Sequence, residues 1–120
     1  MNRVVITGIG VLSPIGKTYK EFVEGLKAAK SGAAPITKFD ASNFRTRFAC
    51  EVKDFNAQDY LDRKEARRMD AFTQYAMVAA EEAVQQSGLD MESDVLNKER
   101  MGVIWGSGIG GLKSLEAEIE

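Results

Sequence analysis

Apolar residues along this chain switch between short β-branched runs and helical spacing. Arg3-Val-Val-Ile-Thr7 is a β-branched run closed by Gly8 and Gly10, and it reads as a buried strand. A glycine-punctuated loop, "GIGVLSPIG", follows. Thr18 and Glu21 then have the spacing of a capping box, a hydroxyl at the cap and a carboxylate three residues on. Behind them Tyr19, Phe22, Val23 and Leu26 fall on one helical face, and Ser31-Gly32 is the expected stop. From Arg47 the pattern alternates, with Phe48, Cys50 and Val52 on one side and Arg47, Ala49 and Glu51 on the other, which predicts a half-buried strand. A short helical turn is expected over Asp54 to Asp62, ahead of the charged run Arg63 to Arg68. The strongest helix starts at the N-cap Asp70 and ends at Gly88, with Phe72, Tyr75, Ala76, Ala79, Ala83 and Val84 at spacings of three and four. Its alanines predict close packing against another element. Met101-Gly-Val-Ile-Trp105 reads as a third strand, followed by a glycine turn and a helical stretch from Leu112 to Glu120.

This order of strand, helix, strand, helix, strand, helix predicts an α/β layout with a mainly parallel sheet. No internal boundary divides residues 1–120. The last segment, "SLEAEIE", stays in helical pattern without a cap, so the sequence is expected to be the first part of a longer protein.

Composition removes several function classes. A formal charge of -2 over 120 residues provides no overall basic field for nucleic acid. No segment approaches the length of about 20 apolar residues that a membrane helix needs, and "MNRVVITGIG" does not read as a signal peptide, so a cytoplasmic protein is expected. There is no histidine and a single cysteine, Cys50. A Ser-His or Cys-His pair and a Cys/His zinc site are therefore impossible within these residues. Without a base to help form its thiolate, Cys50 reads as a small buried apolar side chain rather than a nucleophile. Ser13, in the first loop, likewise has no base beside it in sequence, and that loop reads as architectural.

Gly106, Gly108 and Gly111 spell G-x-G-x-x-G between a strand and a helix. This is the letter pattern of a dinucleotide-binding turn, which also needs an acidic residue about 20 positions further on. The sequence ends before that position. The turn lies on the third strand rather than the first, and the pair Gly110-Gly111 weakens a helix start. The alternative is a backbone that must pass close to another segment, where only glycine fits.

Three stretches together resemble the β-ketoacyl-[acyl-carrier-protein] synthases: "RVVITGIGVLSPIG", "RKEARRMDAFTQYA" and "GVIWGSGIGGL". They stand in the family's order and at its separations, and Ile109 within the glycine turn favours the type II over the type I enzymes. The resemblance implies a thiolase-like fold, layered α-β-α-β-α in a homodimer, of which this chain is part of the first half. It implies a decarboxylative Claisen condensation that needs no metal or organic cofactor. The family's nucleophilic cysteine and two histidines lie downstream of Glu120, so no catalytic residue is assigned here. It also implies that Ile109 gates the acyl pocket, and that Lys64, Arg67 and Arg68 help dock the acidic acyl carrier protein. From the residues alone, Ile109 reads equally as core and the basic run as a solvated helix end. Three alternatives share or borrow these motifs: a polyketide-type ketosynthase, a non-catalytic chain-length partner of the same fold, and a Rossmann dinucleotide-binding protein.

Overall fold

The computed structural model describes residues 3–119. Helix α1 (Tyr19–Lys27) starts where the capping box places it, with the Thr18 hydroxyl accepting from the Glu21 amide at 3.2 Å. The Glu21 carboxylate reaches back one residue further than a standard box, to the Lys17 amide at 2.8 Å. The helix stops before Ser31-Gly32, because Ala28 leaves helical geometry and Ala29 takes a positive φ of 50°. Its buried residue is Gly25, whose missing Cβ admits the Ile15 carbonyl, while Leu26 faces solvent.

Strands β1 (Ala34–Pro35) and β2 (Phe48–Ala49) pair antiparallel, Ala34 opposite Ala49 and Pro35 opposite Phe48. This pair is the one sheet among the described residues. It corrects the alternation read from the sequence. Phe48 and Cys50 are exposed and Ala49 is half-buried, so Cys50 is not a core side chain. The strand is only two residues long, and burial over 47–52 follows neither face, with Arg47 exposed and both Glu51 and Val52 half-buried.

The mainly parallel sheet is also corrected. Neither Arg3 to Thr7 nor Met101 to Trp105 forms a strand here. A strand exists only through hydrogen bonds to a neighbour, and neither run has one among the described residues. Both keep β-branched side chains in solvent, Val4 at 91% and Ile104 at 100% exposure. The total accessible surface is 10194 Å². A folded chain of this mass exposes about 6,400 Å² by size scaling. These two runs are therefore apolar segments with no cover.

Order concentrates around α3 (Ala71–Ser87), closed by Gly88 with φ 68°, as its sequence predicts. Its stripe centres on the buried Val78 and Ala79. The first loop lies against that stripe. A Cβ at Gly8 would sit 2.0 Å from the Ala83 carbonyl oxygen, and one at Gly10 would sit 1.7 Å from that of Ala79. Polar groups of α3 close the same contact: Gln86 accepts from the Ile9 amide at 2.6 Å, and Glu82 accepts from Val11 at 2.8 Å and from Tyr19 at 2.7 Å. Ser13 serves a tight turn, its hydroxyl donating to the Gly16 carbonyl at 3.1 Å. The loop is architectural, as its sequence suggests.

A short 3-10 turn (Ala57–Asp59) and α2 (Arg63–Ala66) precede α3, and α4 (Leu112–Ile119) closes the described chain. Glu120, placed in that last helix by the sequence pattern, lies outside the described residues.

Candidate functional site

Two candidate features flank the start of α3. The first is the basic helix α2. Asp62 caps it, its carboxylate accepting from the Lys64 amide at 2.8 Å and the Glu65 amide at 3.2 Å. An acid at this position also suits the positive end of the helix. One side of α2 is anchored: Ala66 is buried, and the Gln74 amide of α3 donates to the Ala66 carbonyl at 2.8 Å and the Met69 carbonyl at 3.1 Å. Phe55 extends the support, stacked on Tyr60 and edge-on to Tyr75. With Ala66 turned inward, Arg63, Lys64, Arg67 and Arg68 project outward and line one shallow hollow together with Asp62. The structure thus gathers the sequence-predicted Lys64, Arg67 and Arg68 on one exposed surface. Such a surface attracts an acidic partner and raises its association rate.

The second feature is the turn Gly106 to Gly111. Its glycines serve unequal purposes. A Cβ at Gly106 or Gly108 would meet nothing within 4 Å. A Cβ at Gly110 would meet the Phe72 ring at 2.7 Å, and one at Gly111 would meet the Asp70 carboxylate at 2.9 Å. Gly111 also has φ 74°, where a side chain is strained. Close backbone approach therefore accounts for two of the glycines without a nucleotide. Ile109 stands between the free and the held halves of the turn, 76% exposed, so it is not a core residue among the described residues.

Asp70 is the cap of α3 by backbone shape, yet its side chain makes no cap hydrogen bond. Its carboxylate instead accepts from the Ser114 hydroxyl at the start of α4. The sequence shows an N-cap aspartate and not this long-range partner. The partners of Glu82 are equally distant in sequence, although a carboxylate set beside Ala79 and Ala83 on an otherwise apolar stripe is a visible signal. Among the described residues there is no group of three or more Cys, Asp or Glu arranged to hold a metal, and no helix long and apolar enough to cross a membrane.

Comparison with known proteins supplies the context for these two features. The chain matches the family model described as beta-ketoacyl synthase, N-terminal domain, over residues 1–120. It is 48% identical over 114 residues to 3-oxoacyl-[acyl-carrier-protein] synthase 2 of Synechocystis sp., covering 95% of this chain and 27% of that protein. The synthase of the same name from Vibrio harveyi is 48% identical over 115 residues, covering 96% of this chain and 27% of that protein. Among solved structures, the ishigamide ketosynthase/chain length factor superposes with a TM-score of 0.65 at 43% identity, over 72% of this chain and 21% of that one. The chain spans about a quarter of the length of the curated relatives it matches, 27% in each case. The fold is accordingly of the thiolase-like, ketosynthase kind, and the chain belongs to the β-ketoacyl synthase family through that family's N-terminal domain.

Proposed function

We propose that these residues are the N-terminal part of a condensing enzyme that elongates fatty acyl chains on acyl carrier protein. The observation that carries this reading is the 48% identity, along 95% of the chain, to a 3-oxoacyl-[acyl-carrier-protein] synthase 2. In the complete protein a cysteine downstream takes the acyl group from its carrier thioester and releases the carrier thiol. Malonyl-carrier protein then loses carbon dioxide with the help of two histidines. The resulting carbanion forms a carbon-carbon bond to the acyl carbon and expels the cysteine thiolate, leaving a 3-oxoacyl carrier protein two carbons longer. None of these groups belongs to this chain, which has no histidine. Its contribution is recognition: Lys64, Arg67 and Arg68 meet the acidic carrier, and Ile109 gates the acyl pocket. The complete protein is a cytoplasmic homodimer with the layered α-β-α-β-α arrangement. Layering would cover the apolar runs Val4 to Ile6 and Val103 to Trp105, which stand exposed here.

A condensation assay on the full-length protein tests the activity, with acyl- and malonyl-carrier protein as substrates and the 3-oxoacyl product as readout. Reversing the charge of Arg67 and Arg68 tests the docking surface. Carrier affinity should fall by about ten-fold or more at low salt and by less at high salt, as expected for screened charges. An unchanged, salt-independent affinity would reject it. The solved neighbour, named a ketosynthase/chain length factor, keeps a second reading open, a chain-length partner of the same fold that does not catalyse. Absence of condensation together with retained carrier binding would support the non-catalytic form.

A further inference from the structure

Asp70 breaks a local rule. A well-placed N-cap aspartate normally accepts from its own helix, which stabilises it by about 1 kcal/mol. Here the backbone has cap geometry, φ -64° and ψ 156°, but the carboxylate turns away from α3. It accepts from the Ser114 hydroxyl and lies 2.9 Å from where a Cβ on Gly111 would be. Two residues on, the Phe72 ring occupies the space that a Cβ on Gly110 would need. The start of α3 thus holds the C-terminal half of the glycine turn from two directions. The N-terminal half, with Gly106 and Gly108, touches nothing that a Cβ would meet. Ile109 is the residue at the junction. Among the described residues the turn is held at one end and open at the other, so the residue at the junction moves about a fixed pivot. Departures from local preference are expected where function requires them.

We infer that Asp70 is a positioning residue for the Ile109 turn and, through it, sets which acyl lengths the enzyme accepts. This rests on the reading of Ile109 as the acyl gate. Asp70 touches neither substrate nor reacting atoms in this account. It acts by fixing the pivot of the turn, and Ser114 is its partner in doing so.

The test uses the full-length protein with the variants Asp70→Ala, Asp70→Asn and Ser114→Ala, and two readouts. The first is amide hydrogen exchange of residues 108–112. It should accelerate by about ten-fold in Asp70→Ala and Ser114→Ala, since local opening becomes easier. Asp70→Asn keeps an acceptor oxygen and should retain protection. The second is the ratio of kcat/KM for long against medium acyl-carrier substrates. It should change by about ten-fold in the same direction in both alanine variants, the scale on which pockets discriminate by methylene groups. The double variant should match the singles, because both remove one interaction. Unchanged exchange overturns the positioning role, and changed exchange with an unchanged ratio overturns the specificity role. Should Asp70→Ala fail to fold, Ser114→Ala decides the same points. Wild-type protein that condenses nothing would count against the proposed function, while the exchange readout would still decide what Asp70 positions.

Discussion

The carbonyl oxygen of Ala79 lies 1.7 Å from the point where Gly10 would carry a Cβ. The loop after the first apolar run therefore rests on α3 backbone to backbone, and no side-chain adjustment can relieve a substitution there. Gly10→Ala should lower stability by about 3 kcal/mol, the upper range for inserting atoms into a packed contact. Thermal unfolding of Gly10→Ala in the full-length protein checks this, and an unchanged midpoint would show that the loop does not stay on α3.

Glu82 closes the same contact with its two oxygens, one to the Val11 amide and one to the Tyr19 amide. Glu82→Ala removes the acceptor from both amides, one part-buried and one exposed to water, and should cost about 1 kcal/mol. Glu82→Gln keeps one acceptor oxygen and should cost about half as much. Hydrogen exchange resolves the two sites: the glutamine variant should deprotect one of these amides, and the alanine variant both.

The pattern of success in the sequence follows from the range of each interaction. Thr18 as a cap, Gly88 as a helix end and the helix beginning at Leu112 are all legible, because their causes lie within a few residues. The runs at Val4 and Val103 have β-strand composition, but a strand also needs a distant neighbour, and none pairs with them among the described residues. Phe48 and Cys50 show the same limit, since alternation gives a period and leaves open whether either face is covered. For the candidate site, the basic residues are legible as a cluster, whereas Ile109 stands out only through the family resemblance. The Asp70–Ser114 and Glu82–Val11 pairs are not legible, because each joins positions that are far apart in sequence.

Gln74 bears on the proposed docking surface without carrying charge. Its amide holds the Ala66 and Met69 carbonyls at the end of the basic helix. Gln74→Ala removes both bonds and frees α2 to move, so the cations lose their fixed spacing. Carrier-protein affinity should weaken by about three- to ten-fold, the equivalent of one modest hydrogen bond. The slope of affinity against salt should stay as in the wild type, because the number of charges is the same. A reduced slope would mean that Gln74 acts through the charges themselves.

The residues just beyond the β1–β2 pair carry a pH signature. The Thr37 hydroxyl donates to a Glu51 oxygen at 2.6 Å, and this bond holds the Glu51 carboxyl below its ordinary value of 4.5. A lowered folded-state pKa means that the bond favours the charged form. Its stabilising contribution is present above the unfolded value and is lost as pH falls through the folded one. In Thr37→Val the Glu51 titration should move up toward 4.5, and acid should no longer separate this variant from the wild type. Carboxyl chemical shifts followed across that range measure it, and an unmoved titration would assign the shift to something other than Thr37.

Ile109 provides the sharpest test of the gate. It is exposed beside Gly108, which has open space around it, and Gly110, which is pressed on Phe72. Among the described residues the Gly108 side of the turn leaves room for a larger side chain, so folding should be unaffected. With Ile109 as the proposed gate, the added volume narrows the acyl pocket. Ile109→Phe in the full-length protein should therefore retain carrier binding and short-chain condensation. Its kcat/KM for long acyl chains should fall by about ten-fold or more, on the scale of pocket discrimination. Product chain lengths measured by mass spectrometry would show the cut-off directly. An unaltered length distribution would mean that the pocket wall lies elsewhere and that Ile109 has no gating part.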